Sequence, residues 1–177
     1  GSMYQEAPML AELVEAGDLP PVDERLPLNP YVCDVAESVG KYGGTIRRGF
    51  KGVSDRWGPT KHIDRMLVWV DRDLVLQPRL IESWEVSDDG LTYTFTLREG
   101  AAWNDGTPIT AQTVVDSWLR TLDPETAAAY SYLYGEAAVV GAMDMVAGEA
   151  GPEDVGIRAL DDRTFQVMVN GQTGKVA

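Results

Sequence analysis

The chain has 177 residues, which is enough for one domain with a sizeable core and short for two. Hydrophobic residues make up 44% and charged residues 24%, as in ordinary globular proteins. The net charge of −13 argues against binding to nucleic acids or anionic membranes, because both depend on Lys and Arg contacts to phosphate groups. The single cysteine, Cys33, excludes an intramolecular disulfide, and we expect it to be a structural thiol.

We expect from the two ends of the sequence that the chain is a fragment of a longer protein. It opens with Gly-Ser-Met, which is typical of a cloning scar, and ends in "NGQTGKVA" without a closing element. The sequence carries no signal peptide and no apolar run long enough to span a membrane. This absence says nothing about the leader of the natural protein.

The first third of the chain is predicted to be largely irregular. Residues 7–16 place apolar side chains on one helical face, and Gly17 follows where a C-terminal cap glycine belongs. Four prolines in residues 18–30 block regular structure and predict an extended strap. The stretch "TIRRGF" (45–50) alternates and predicts a strand, whereas residues 60–71 fit either a short helix or a strand.

The middle of the chain predicts a hairpin followed by a helix. The stretch "SDDG" (87–90) indicates a tight turn, because Asp-Gly tolerates positive φ angles. Residues 91–99 alternate between apolar and polar side chains and form the strongest predicted strand. A second glycine-rich turn leads to an amphipathic helix over residues 110–123, with Thr110 as its N-cap.

The last third predicts short helices and a second hairpin. Residues 124–150 are alanine-rich and predict two helical pieces broken near Gly135 and Gly141. Two strands around Asp161-Asp162 follow. Because strands outnumber helices and hairpins join most of them, the predicted fold class is α+β with an antiparallel-rich mixed sheet.

Gly43-Gly44 is the first motif that could contact a ligand. A dinucleotide fingerprint needs G-x-G-x-x-G between a strand and a helix, whereas these glycines are adjacent and precede the predicted strand. The later stretch "GQTGK" has two residues between its glycines, where a phosphate loop needs four. We therefore predict no nucleotide cofactor. The glycine pair is either a lip over another ligand or the plain turn before a strand.

Patterns for catalysis and metal binding are weak, and we predict no enzyme, no metal and no cofactor. Cys33 and His62 could pair as nucleophile and base, but their spacing suggests no orienting residue. One His and one Cys do not supply the closely spaced ligands of a metal site. Three pairs of adjacent acids fall in predicted turns, where we expect solvated carboxylates and not a buried catalytic pair. They are Asp88-Asp89, Glu153-Asp154 and Asp161-Asp162.

The segment from Lys41 to Arg79 is locally basic, with nine Lys and Arg residues against four Asp residues. Charge runs of this kind usually face water, and a set of solvated charges is the favoured interpretation. The alternative is a basic rim that attracts an acidic ligand or partner.

Residues 80–127, "LIESWEVSDDGLTYTFTLREGAAWNDGTPITAQTVVDSWLRTLDPETA", form a long and specific pattern. It resembles the extracellular solute-binding proteins of family 5, the oligopeptide, dipeptide and nickel receptors of ABC importers. "KYGGTIRRGF" (41–50) is similar to the opening strand of that family, and "GIRALDDRTFQV" (156–167) to a later hairpin. The resemblance covers about residues 26–168.

The resemblance implies part of a lobe of the periplasmic-binding-protein type II fold. Residues 1–30 are then a tag scar, a short helix and the proline-rich strap, and residues 31–169 are an N-terminal lobe segment with its small inserted subdomain. The tail 170–177 does not match the family. Its receptors are typically about three times as long as this chain and have two lobes, so that the second lobe would be missing.

The function implied is that of the receptor of an ABC importer, periplasmic or anchored at the cell surface as a lipoprotein. Such a receptor closes its lobes on a peptide or another small solute, hands it to the permease subunits and makes or breaks no bond. The alternative is an isolated structural or interaction domain that binds no ligand.

The resemblance also implies a ligand-contacting segment. In the family the segment after Gly43-Gly44 enters the sheet, and the loop that follows lines the cleft. Gly44 would let the backbone approach the ligand, and the side chains and backbone expected to reach it are Phe50, Lys51, Gly52 and Trp57. Trp57 is the first choice for a functional side chain. The remaining tryptophans are expected mostly in the core: Trp69, Trp84, Trp103 and Trp118.

Overall fold

Two units make up the chain, Gly1–Arg65 and Met66–Ala177. The structure, a computed structural model, describes residues 4–28, 30, 32, 35, 37–47, 49, 51–52, 68–70 and 73–171. The divisions predicted at residues 30 and 169 remain predictions.

Helix α1, Pro8–Glu15, opens the first unit as predicted. A proline at the first helical position is well tolerated, because its missing N–H would have no partner within the helix. The helix ends at Gly17, whose φ of +77° lets the chain reverse, and whose N–H donates to the Val14 carbonyl at 3.1 Å. The next N–H, of Asp18, donates to the Leu13 carbonyl at 2.9 Å, which completes a Schellman cap.

The segment 18–30 is not wholly extended, which corrects the prediction of a strap without regular structure. It contains one helical turn, α2, Val22–Arg25, because a proline fixes φ near the helical value and suits the start of a helix. Arg25 Nε donates to the Pro20 carbonyl at 2.9 Å, and its Nη2 pairs with Glu6. This ion pair links α2 to the chain just before α1.

The strand predicted at residues 45–50 is wrong for the part that the structure describes. Residues 45–47 and 49 have no strand structure, and residues 48 and 50 lie outside the described residues. A strand needs a neighbour that pairs with its backbone, and none of the described strands pairs with this segment. Of the predicted helix or strand at 60–71, residues 68–70 form a strand, and residues 60–67 and 71 lie outside the described part.

The second unit is built on antiparallel strands, which confirms the predicted class. The short strands β1, Val68–Val70, and β2, Leu76–Pro78, pair with each other. Four further strands form one sheet in the order β3-β4-β6-β5, with every neighbouring pair antiparallel. They are β3, Ile81–Val86; β4, Thr92–Leu97; β5, Ile157–Ala159; and β6, Thr164–Met168. The two predicted hairpins connect β3 to β4 and β5 to β6.

Strand β3 forms one edge of this sheet and carries an irregularity. Ile81 is paired with Leu97 and Ser83 with Thr96, so that the extra residue Glu82 makes a bulge. Glu82 and Glu85 are both exposed along this edge strand.

Helix α3, Ala111–Leu122, follows the predicted boundaries closely. Thr110 caps it as predicted, because its hydroxyl accepts from the Thr113 N–H at 3.2 Å while the Thr113 hydroxyl accepts from the Thr110 N–H at 3.2 Å. Two short helices follow, as predicted: α4, Tyr132–Glu136, and α5, Ala142–Val146. The break predicted at Gly141 lies just before α5, whereas the break predicted near Gly135 is wrong, because Gly135 lies inside α4. A 3₁₀ turn, Pro152–Asp154, leads into β5. No helix in the described residues is both long and apolar enough to cross a membrane.

The core of the second unit lies between the sheet and α3. Phe95 and Phe165, from neighbouring strands, stack with ring centroids 5.1 Å apart, and each is at most 1% exposed. Trp118 of α3 meets the Phe165 ring edge-on at 5.9 Å. Trp84 and Trp118 are partly buried against this core, as expected. Trp103 is 55% exposed, which contradicts the expected core position, and the side chains of Trp57 and Trp69 lie outside the described part.

Candidate functional site

The five predicted ligand-contacting residues fall in the first unit, and the structure describes three of them. Gly44, Lys51 and Gly52 are exposed, whereas Phe50 and Trp57 lie outside the described residues. Gly44 has a φ of +91° and Gly52 a φ of +102°, in the region that favours glycine. A larger residue at either position would strain the backbone. The exposed backbone at both glycines is compatible with the predicted contact, which stays a prediction.

The glycine pair lies against the side chain of Met9 in α1. The Gly44 N–H donates to Met9 Sδ at 3.3 Å, within hydrogen-bonding range for sulfur. A Cβ atom placed on Gly43 would lie 3.5 Å from the same sulfur, which is ordinary van der Waals contact. The N-terminal helix therefore supports this segment through one thioether, a contact that no sequence pattern indicated.

The adjacent acids are turn residues, as predicted. Asp89 accepts hydrogen bonds from the Ser87 hydroxyl at 2.6 Å and the Leu91 N–H at 3.0 Å. The bond from Ser87 is the main cause of the lowered pKa of this carboxyl. Asp161 accepts from the backbone N–H groups of Arg163 at 2.8 Å and Thr164 at 2.7 Å. The bond from Arg163 is the main cause of the lowered pKa of Asp161.

A third carboxyl, that of Asp105, also accepts a backbone hydrogen bond within its own turn, in the loop that carries Trp103. Asp105 Oδ1 accepts from the Thr107 N–H at 2.9 Å, and this bond is the first cause of its lowered pKa. The Trp103 N–H donates to the Thr107 carbonyl at 2.9 Å, and Gly106 has a φ of +85°. Each of these three carboxylates stabilises a surface turn by accepting hydrogen bonds within its own loop.

The residues considered for catalysis give no constellation in the described part of the chain. Cys33 and His62 both lie outside the described residues. Within those that are described, no group of three or more His, Cys, Asp or Glu side chains could hold a metal ion.

The second unit carries an exposed aromatic surface that the sequence interpretation missed. The rings of Tyr130 and Tyr132 lie 6.1 Å apart, tilted by 37°, and both side chains are more than 40% exposed. Leu133 and Met143 are exposed to a similar extent. We call the two tyrosines the aromatic surface.

The run "YSYLY" (130–134) contained a usable signal for this surface. Tyrosines spaced two apart cannot all face the same side of a helix, so at least one had to leave the core. Tyr134 is the one that turns inward, against Trp118 at 5.7 Å, and burial raises its pKa.

The comparisons with known proteins place the sequence in a family. The model described as "Bacterial extracellular solute-binding proteins, family 5 Middle" matches residues 75–176, which is more than half of the chain. The chain belongs to this family. The match covers α3 and the whole four-stranded sheet and continues into the tail. Solved structures of solute-binding relatives confirm both the predicted family and the predicted periplasmic-binding-protein type II fold.

Relatives among the family 5 proteins bind different solutes. The periplasmic oligopeptide-binding protein OppA of Salmonella typhimurium is 47% identical over 95 residues, covering 52% of this chain and 17% of that protein. The probable deoxycholate-binding periplasmic protein YgiS of Escherichia coli is 42% identical over 103 residues, covering 58% and 19%. The structure of Listeria monocytogenes OppA bound to peptide superposes with a TM-score of 0.55 and 42% identity, covering 60% of this chain and 21% of that one. The chain thus spans about a fifth of the length of the curated relatives it matches.

Proposed function

We propose that the chain is part of the solute-binding component of an ABC importer, which binds a peptide or another small solute and delivers it to the permease. The observation that carries this proposal is the 47% identity to an oligopeptide-binding protein over 95 residues. Because the chain covers about a fifth of such relatives, it would supply one part of a larger receptor. The receptor would work in the periplasm or at the cell surface.

Binding would proceed by lobe closure, without covalent chemistry. A solute that contacts the closed form better than the open form shifts the population toward closure, and the permease recognises that form. The carboxylates of Asp89, Asp105 and Asp161, which are engaged in turns, suit a scaffold and not a catalyst. The protein would therefore be a receptor and not an enzyme.

The ligand-contacting segment in this proposal comprises Gly44, Phe50, Lys51, Gly52 and Trp57. Both glycines are exposed and have positive φ angles, and without a side chain they let a peptide approach their backbone closely. The exposed Lys51 ammonium suits a carboxylate, such as the C-terminus of a peptide. Trp57 would add an aromatic face for an apolar side chain.

The aromatic surface of the second unit is a further candidate for contact with the solute. Two tilted tyrosine rings present both apolar faces and hydroxyl groups, a combination common in binding sites because one side chain offers both kinds of contact.

Calorimetry and tryptophan fluorescence of the full-length receptor test the proposal. Short peptides, free amino acids, bile salts and sugars form the panel. We expect saturable binding of one class, and weaker binding after Lys51→Met, Trp57→Ala or Tyr132→Ala. Arg120→Met, which removes an exposed positive charge at the end of α3, serves as the control.

The outcomes separate the parts of the proposal. A flat response to every solute, together with concentration-dependent self-association, would favour the interaction domain and overturn the receptor. Saturable binding that none of the three variants weakens would leave the receptor standing and overturn the site residues.

A further inference from the structure

The contact between Met9 and the glycine pair joins an oxidisable atom to the segment proposed to meet the solute. Met9 is 50% exposed, so its side chain can be reached by dissolved oxidants. Its sulfur accepts the Gly44 N–H at 3.3 Å. One exposed side chain therefore supports the segment.

We propose that Met9 is a site of reversible oxidation that controls how the segment around Gly43-Gly44 is held against α1. A peroxide transfers one oxygen atom to the thioether, which becomes a sulfoxide while the peroxide is reduced to water or an alcohol. Sulfur is oxidised by two electrons, and no other bond of the protein changes. Methionine sulfoxide reductases return the thioether at the expense of thiols.

The geometry of the contact explains why oxidation releases the segment. The 3.3 Å between the Gly44 nitrogen and Sδ leaves no space for an oxygen atom between them. The new oxygen therefore points away from this line, and the oxidised sulfur carries a partial positive charge, so that the Gly44 N–H loses its sulfur acceptor.

The methionines of the second unit provide internal references. Met145 is 7% exposed and is protected by burial. Met143 is 43% exposed, close to Met9, and it also lies on a glycine, because a Cβ on Gly135 would come within 2.7 Å of its sulfur. Oxidation at Met143 would loosen α4 and α5 and leave the Gly44 amide unaffected.

Hydrogen exchange at the Gly44 amide, read by NMR on the 177-residue chain before and after peroxide, tests the proposal directly. Mass spectrometry of peptides follows oxygen addition at each methionine. We expect Met9 and Met143 to oxidise before Met145, and exchange at Gly44 to accelerate about fivefold, the factor that one net hydrogen bond contributes. The reductase should restore the original rate.

Two variants make the result decisive. Met9→Leu keeps the apolar contact and cannot be oxidised, so its Gly44 exchange should no longer respond to peroxide. Met143→Leu should respond like the parent chain. The proposal is overturned if Gly44 exchange stays constant when Met9 is fully oxidised, if Met9 resists oxidation as Met145 does, or if the Met9→Leu variant still responds.

The consequence for solute binding rests on the proposed function. Oxidation should then weaken solute binding in the full-length receptor, and Met9→Leu should abolish the sensitivity. The exchange measurement involves no solute, so failure of the receptor proposal and failure of the Met9 proposal give different results.

Discussion

Arg163 donates from Nε and Nη2 to the Leu97 carbonyl oxygen, at 3.0 and 2.9 Å. The Leu97 N–H in turn donates to the Arg163 carbonyl at 2.7 Å, so the two residues are joined in both directions. Arg163 also reaches Glu82 at 2.7 Å. One side chain thereby connects the turn between β5 and β6, the end of β4 and the edge strand β3.

We expect Arg163→Ala to destabilise the chain by about 1–2 kcal/mol, because it removes hydrogen bonds from a charged group to a carbonyl. Glu82→Gln should cost less than about 0.5 kcal/mol, since that ion pair is 43% exposed on both sides. Urea unfolding followed by tryptophan fluorescence measures both. Equal losses for the two variants would show that the ion pair, and not the carbonyl contact, is the important interaction.

Two glycines with similar backbone angles should respond differently to alanine. Gly141 has a φ of +67° and Gly148 a φ of +75°, so both substitutions carry the left-handed penalty of about 1 kcal/mol. At Gly141 a Cβ would also meet the Asp154 carbonyl oxygen at 2.4 Å, whereas at Gly148 nothing lies within 4 Å. We expect Gly141→Ala to cost at least about 2 kcal/mol more than Gly148→Ala in urea unfolding. Similar costs would mean that the 3₁₀ turn moves freely.

The stacked phenylalanines should dominate the stability of the second unit. Phe165 is fully buried and touches both Phe95 and Trp118, so Phe165→Ala should cost about 3–5 kcal/mol and Phe165→Leu about 1 kcal/mol. Leu160→Ala, at a position 50% exposed, should change stability by less than about 0.5 kcal/mol. Thermal unfolding by circular dichroism checks the order. A loss at Leu160 as large as that at Phe165 would place the core elsewhere.

Acid should weaken the turn between β5 and β6 through Asp161. The pKa of the Asp161 carboxyl is lowered in the folded state, chiefly by the hydrogen bond from the Arg163 N–H. The stability that this carboxylate adds to the fold is therefore complete above the ordinary Asp pKa of ~4, and it is lost as the pH falls through the lower pKa of the folded state. Asp161→Asn should therefore reduce the loss of stability between about pH 5 and pH 2. Asp162→Asn is the matched control, because Asp162 accepts the Ala111 N–H with its backbone carbonyl. A parent-like acid response of Asp161→Asn would exclude this role.

Local chemistry made much of the second unit predictable. Gly90, with a φ of +69°, occupies the Asp-Gly turn that the sequence indicated, and the alternation in residues 91–97 buries Phe95 and Leu97 as expected. Thr110 caps α3 through a hydroxyl that binds its own neighbouring backbone. These elements depend on interactions within a few residues or on a clear period, and both are readable from the chain.

Features that depend on distant partners were not predictable. The alternation at residues 45–50 resembles that of a true strand, but no described strand pairs with the part that is described, because pairing is a property of two segments. Trp103 is a large aromatic residue of the kind expected in a core, yet it lies in a loop and is exposed to solvent. The thioether contact of Met9 with Gly44 joins residues 35 positions apart and has no periodic signature. The contacts expected between the solute and residues of this chain also depend on a distant partner, and they remain a prediction.

The bulge at Glu82 in the outermost strand has a consequence for handling the protein. The unpaired backbone donors and acceptors of an edge strand can pair with a strand of another molecule. The bulge in β3 and its two exposed glutamates disfavour such pairing. Removing the irregularity and both glutamates would create a flat, neutral template for fibril growth. The native border should instead keep concentrated samples dispersed.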